Sequence, residues 1–169
     1  LFMDKNNRFY LRPEGLNDLI YRPSEESDGA VPASGSYMIR NLIKINRLTE
    51  NKNYLSLAES CLKSLSGYIA KSPNRMTSAL KAFDYFMNDK IEIVIVGEGQ
   101  LKTDMLKIVY NKYLPNSIIA ISTPDENNLP LFEGRVENLN EVKAYVCKNS
   151  VCNLPALSVE QLKNQLGKL

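Results

Sequence analysis

The sequence predicts an α/β chain in two parts: antiparallel helical hairpins within residues 1–88, followed by a small mixed α/β unit over residues 89–169. Three observations carry this. Amphipathic patterns of helical period follow one another between Tyr37 and Met87 with only short breaks, and linkers that short place neighbouring helices antiparallel. At Ile91 the period gives way to a β-branched run, IEIVIV, which reads as a strand buried on both faces. The strand–helix–strand order after it predicts a parallel pair joined by a right-handed crossover.

The elements follow in order. Residues 1–35 read as irregular, punctuated by turns at Arg12-Pro13-Glu14-Gly15 and Arg22-Pro23-Ser24, with a short strand at 8–11 and an exposed, turn-rich loop over 24–36. The first helix, 37–48, groups Met38, Ile39, Leu42, Ile43, Ile45 and Leu48 on a wide apolar face, with Ser36 as its N-cap. The second, 54–70, aligns Tyr54, Ala58, Cys61, Leu62, Leu65, Tyr68 and Ile69. After a Ser72-Pro73-Asn74 break, 75–87 repeats the pattern with Met76, Ala79, Leu80, Phe83, Phe86 and Met87. Ile91–Val96 is then the first strand of the α/β unit, 101–113 an amphipathic helix, Ser117–Ile121 a second strand and 143–147 a third. A last helix opens at Ser158, where Gln161 completes a capping-box pattern, and buries Val159, Leu162 and Leu166.

Composition narrows the chemistry. There is no histidine among the 169 residues, which removes the commonest general base and metal ligand, and with it any Ser-His-Asp, Cys-His or imidazole–zinc device. Hydrophobic residues at 44% and charged residues at 24% are ordinary for a folded domain. The net charge of +2 is spread between acids, so nucleic acid is not an expected partner. No apolar stretch approaches the ~20 residues of a membrane span, and no basic head precedes an apolar run as in a signal peptide. Three cysteines argue against a full disulfide framework and for a reducing, cytoplasmic setting. Position 1 is leucine, and the expectation is an excised fragment or processed product.

Several groups are candidates for function. Gly97-Glu98-Gly99 lies between a strand and a helix, where a dinucleotide fingerprint belongs. Lys102 replaces its third glycine, Glu98 opposes a pyrophosphate, and Asp125 stands too far along for the ribose carboxylate. A structural turn is the simpler reading, and no cofactor or metal is expected. Cys147 and Cys152 are set for a bond between strand end and following loop, for burial as small hydrophobes, or for redox exchange. Cys61 is the other cysteine, on a helix core face. Glu133 and Arg135 form a candidate ion pair or anion site. Asp28 in the loop and Asp84 on the third helix are the carboxylates placed to serve a cavity, with turn or cap roles as the alternative.

Ordered blocks of sequence extend this reading. Asp28-Gly29-Ala30-Val31-Pro32 precedes a helix with Asn41-Leu42, then Leu48-Thr49 and Tyr54. Ala82-Phe83-Asp84-Tyr85, Ile93-Val94-Ile95-Val96-Gly97 and Tyr113-Leu114-Pro115-Asn116 follow. Pro130-Leu131-Phe132-Glu133-Gly134-Arg135 and Ala144-Tyr145-Val146-Cys147, with Cys152 and Pro155, complete the set. In this order they resemble the C-terminal portion of the spermatogenesis-associated, thioredoxin-domain-containing proteins. The resemblance implies an upstream thioredoxin-like domain, then a toroid of the six-hairpin glycosidase type whose last hairpins are residues 1–88, then the α/β segment. It also implies that Asp28, Ser36 and Asp84 face a polar cavity. The family loop Asp-Gly-Ala-x-Pro-Ser-Gly-Asn-Ser is altered here to Ala33-Ser34-Gly35-Ser36 after Pro32, so the asparagine amide suited to a hydroxylated ligand is missing.

Two functions are therefore expected to compete. In the first, the chain completes the wall and cavity of a carbohydrate-active-type toroid, with the upstream domains as its partners and self-association of the isolated chain through an unfinished apolar face. In the second, it is a redox-partner or interaction module using Cys147 and Cys152. A nucleotide site at Gly97 and Gly99 is a third, thinner expectation.

Overall fold

A computed structural model describes residues 2–16, 20–122, 128–136 and 140–169. Two units divide the chain, 1–88 and 89–169, helical hairpins in the first and a small mixed sheet with helices in the second.

Before the first helix the chain is irregular, and where a strand was expected at 8–11 there is only an isolated bridge between Met3 and Phe9. Asp4 closes a tight turn there, accepting from the Asn6 and Arg8 N–H groups. Three helices follow, α1 (Ser34–Thr49), α2 (Lys52–Lys71) and α3 (Thr77–Met87), with a single 3₁₀ turn at Pro73–Arg75. Helix α1 starts earlier than its apolar pattern suggested. Ala33 is its N-cap residue and Ser36 is buried inside its first turn. Glu50, in the left-handed conformation, ends α1 by donating its N–H to the Asn46 carbonyl. Asn51 then caps α2 by accepting from the Asn53 N–H.

The helical core joins Ile39, Leu42 and Ile43 of α1 to Ala58, Cys61 and Leu62 of α2 and to Met76, Ala79, Ala82 and Tyr85 around α3. The inward face of α3 is thus rotated from the one its hydrophobicity suggested. Ala79 and Ala82, three residues apart, give α1 a close approach, and Tyr85 goes in with them. Arg47 of α1 is buried too: it donates Nη2–H to the Tyr85 carbonyl at 2.7 Å and its guanidinium stacks 3.9 Å from the Tyr85 ring centroid. Phe83 and Met87 are left outside, 46% and 64% exposed.

The second unit is a four-stranded sheet of order β2-β1-β3-β4, built from β1 (Ile91–Val96), β2 (Ser117–Ile121), β3 (Lys143–Lys148) and β4 (Val151–Cys152). Strands β1 and β2 are parallel, as the intervening helix α4 (Gln100–Tyr110) requires; β3 runs antiparallel to β1, and β4 antiparallel to β3. One face, Ile93, Ile95, Ala144 and Val146, is covered by Met105 and Val109 of α4 and by Leu162 and Leu166 of α5 (Val159–Leu166). Ser158 caps α5 by accepting from the Gln161 N–H, and the Gln161 side chain accepts from Leu157 N–H. The other face of β1 carries Glu92, Val94 and Val96, all buried. A central strand enclosed on both sides has no alternation to show, hence its unbroken apolar run.

Candidate disulfide site

The reactive groups of the second unit meet at the short edge of the sheet. Strand β4 returns from β3 through Asn149 and Ser150, both at positive φ, the backbone of a two-residue primed hairpin turn. The hairpin places Cys152 directly opposite Cys147, and the two sulfurs are bonded. Glu92 lies opposite Cys147 on the other side. Residues directly opposite on adjacent strands share a face, so Ile118, Glu92, Cys147 and Cys152 form one row across all four strands. Cys147 is fully buried, whereas Cys152 on the edge strand is exposed.

Arg135 completes the site. The 3₁₀ turn Pro130–Phe132, with Leu131 and Phe132 buried, leads through Gly134 to Arg135. Its Nη1–H donates to the Leu131 carbonyl at 2.8 Å, and its guanidinium lies 5.4 Å from the Tyr145 ring centroid. Held there, Nη2 is 3.2 Å from Cys152 Sγ and 3.6 Å from Cys147 Sγ. Glu133 is exposed and makes no ion pair with Arg135 among the described residues. Sequence spacing had joined Arg135 to Glu133; only the fold brings it to the sulfurs. The hairpin tip is tied down separately. Asn149 donates its N–H to the Lys90 carbonyl and its side-chain amide to Asp89, while Lys148 pairs with Asp89 at 2.7 Å. Lys148, then Asn149, hold the Asp89 carboxyl below its ordinary value.

In the helical unit Asp28 is bonded at the start of α1, whose first turn holds Ser36, while Asp84 lies at the far end of α3. Asp28 Oδ1 accepts from the Ala33 N–H at 2.9 Å, while Oδ2 accepts from the Ser78 N–H at 2.7 Å and the Thr77 hydroxyl at 2.9 Å. One carboxylate thus caps the start of α3 and secures the entry to α1. Burial works against its charge, but the N–H groups of Ala33 and Ser78 and the Thr77 hydroxyl prevail and lower its pKa. Ser36 borders a small cavity of about 30 Å³ with Arg8, Glu26, Cys61 and Tyr68. Cys61 is buried, and burial pushes its thiol up to about 11, which makes it inert. Asp84 is exposed in the last turn of α3, where its carboxylate and carbonyl accept from the Asn88 amide. It sits seven residues from Thr77, about 10 Å along the helix from the group that Asp28 caps.

Two further features were open in the sequence. Gly97, at φ 91°, is the turn after β1, and a Cβ there would run into the Glu141 carbonyl and come within 2.8 Å of Val142 Cα. Its glycine is explained by the close passage of this chain's own backbone. Asp125, the ribose candidate, lies outside the described residues. Between α2 and α3 runs an apolar groove of about 400 Å³ lined by Leu62, Ile69, Leu80, Phe83 and Phe86. Among the described residues no helix is long and apolar enough to cross a membrane, and no three Cys, Asp or Glu side chains gather as a metal site would need.

Comparison with known proteins gives no matching family model and no matching solved structure. Curated relatives do match. An uncharacterized protein of Caenorhabditis elegans is 22% identical over 167 residues, covering 96% of this chain and 23% of that protein. Spermatogenesis-associated protein 20 of rat is 24% identical over 175 residues, covering 98% of this chain and 22% of the relative. The human protein of that name is 24% identical over 155 residues, covering 88% and 20%. The chain thus spans about a fifth of the length of the curated relatives it matches, and over nearly all of its own length it is homologous to spermatogenesis-associated protein 20.

Proposed function

We propose that this chain acts within a larger thioredoxin-domain-containing protein, as the final hairpins and α/β segment of a carbohydrate-active-type α/α toroid. It completes the wall and is not a catalyst alone. The observation that carries this reading is the groove between α2 and α3, with Phe83 and Met87 exposed beside it. A helical layer built from hairpins leaves such a face wherever the next hairpin is to lie. Homology over a fifth of a longer relative supports it. In this reading Asp28 and Ser36 hold the wall together, and Asp84, exposed on α3, is the carboxylate presented to a cavity shared with upstream helices. Made alone, the chain self-associates through the groove. Calorimetry with a panel of hexoses and short oligosaccharides tests it: the whole protein binds and the 169-residue chain does not. Binding of comparable affinity by the chain alone would contradict it.

A second reading is favoured by one observation, the guanidinium of Arg135 beside a disulfide whose Cys152 is exposed. Here the α/β unit is a redox partner of an upstream thioredoxin-like domain, and a cytoplasmic setting would supply the dithiols it needs. Incubation of the native chain with a small dithiol, followed by thiol counting, tests it: two thiols appear without unfolding.

A further inference from the structure

We infer that the Cys147–Cys152 bridge is a directional exchange site for a dithiol: Cys152 is the sulfur attacked, Cys147 the sulfur that leaves, and Arg135 the residue that holds the thiolate charge. This rests on the redox reading above and assigns roles within it.

Access sets the direction. Exchange proceeds by attack of a thiolate on one sulfur of the bridge, so the sulfur attacked must be reachable. Cys147 is fully buried and Cys152 exposed on the edge strand. Charge then sets the ease of the step. A disulfide sulfur is a weak acceptor, whereas a thiolate facing an N⁺–H donor makes a charge-assisted bond roughly twice as strong as a neutral one. Arg135 Nη2 lies within 3.6 Å of both sulfurs. It therefore stabilises charge on Cys147 as that sulfur leaves, and on Cys152 once released. A nearby cation is what lowers a thiol pKa and improves a leaving sulfur. The Leu131 carbonyl and the Tyr145 ring fix the guanidinium in place before reaction, and among the described residues no carboxylate pairs with it.

A purely structural bridge fits less well. The cysteines are five residues apart, and closing so short a loop removes less freedom from the unfolded chain than closing a long one. The hairpin is also held without the bridge. Asn149 is bonded to Lys90 and Asp89, and beyond β4 the Asn153 N–H donates to the Val146 carbonyl and Ala156 pairs with Ala144. The bridge can open while the sheet stays closed.

The step balances with a dithiol as reductant. One of its thiols, deprotonated, bonds to Cys152 Sγ while the Cys147–Cys152 bond breaks and its electron pair goes to Cys147. The second thiol, also deprotonated, then attacks the reductant's own sulfur in the mixed disulfide and releases Cys152 as a thiolate. The dithiol becomes a disulfide, two electrons enter the bridge, and the two protons it lost end on the cysteines.

The test uses the 169-residue chain and two kinds of variant. With an aromatic chromogenic disulfide as probe, native Cys147→Ser, which keeps Cys152, reacts at least about tenfold faster than native Cys152→Ser. With a small dithiol, the wild-type bridge opens while the fold persists. Arg135→Met opens about tenfold more slowly, and Arg135→Lys recovers most of the rate, although both variants remove the same guanidinium contacts and melt alike. Opening of the wild-type bridge only on unfolding would overturn the redox reading and the roles with it. Opening in the native state, but with Cys152→Ser the faster variant or with Arg135→Met at the wild-type rate, would overturn the roles alone.

Discussion

In the helical unit the inward-turned ions bind backbone: Asp28 accepts from the Ala33 and Ser78 N–H groups, and Arg47 donates to the Tyr85 carbonyl. In the α/β unit Arg135 uses one nitrogen in the same way, on Leu131, and turns another toward two sulfurs. Both units leave apolar side chains outside, Val151 and Leu154 among them in the second, and they differ in how their elements are covered. The sheet is enclosed on both faces of β1, whereas the helices leave Phe83 and Met87 in solvent. Charge spent on backbone marks a scaffold, and apolar side chains left outside mark a scaffold with a neighbour to meet. A cation aimed at a reactive bond marks chemistry. On the reading proposed above, the first unit would serve as a wall element and the second would carry the exchanging bond.

Substitutions can break that contrast unit by unit. The largest effect belongs to Gly97→Ala. Its Cβ would collide with the Glu141 carbonyl at a φ of 91°, costing about 3–4 kcal/mol. Denaturant unfolding should show the α/β transition lost or far earlier, with helical signal retained. Arg47→Met keeps the aliphatic stem but removes the bond to Tyr85 and the stacked cation, and should cost about 2–3 kcal/mol in urea unfolding. Asp28→Ala removes a cap shared by two helix starts and should cost about 1–2 kcal/mol at neutral pH.

The pH dependence of that cap has a definite sign. The folded Asp28 pKa lies below its ordinary 3.8, so its stabilisation is complete above that value. It is lost as pH falls through the folded pKa. Asp28→Ala should therefore flatten the acid limb below 3.8 and leave the neutral-to-alkaline limb parallel to wild type. Asp84→Ala is the smallest change, within about 0.5 kcal/mol, because its bond to Asn88 is offset by a carboxylate at a helix C-terminus. A larger loss would move Asp84 among the residues that hold the helical unit together.

Local signals were legible in the sequence. The run IEIVIV announced a doubly buried strand, and Ser158 with Gln161 announced the start of α5, since both depend on neighbours a few residues away. What was not legible depended on distance. The start of α1 was assigned to Ser36, but Asp28 takes part of that work and caps α3 fifty residues on. Hydrophobicity alone put Phe83 and Met87 inside α3, whereas α1 needed the small Ala79 and Ala82 to come close. Strand β4, two residues long, is too short to show an alternating pattern, although an asparagine opening its turn is a usable sign. The disulfide stood among open alternatives for the cysteine pair, and nothing in the spacing of Arg135 pointed to it.

Whether the face carrying Phe83 is covered in the whole protein is measured directly by Phe83→Ser. Its effect on unfolding free energy should be compared in the 169-residue chain, at concentrations where it is monomeric, and in the whole protein. A half-exposed ring should contribute under about 0.5 kcal/mol in the chain alone, and about 2 kcal/mol where neighbouring helices bury it. The same small loss in both would mean that the groove faces solvent in the intact protein, and the helical unit would not be a wall element awaiting its neighbour.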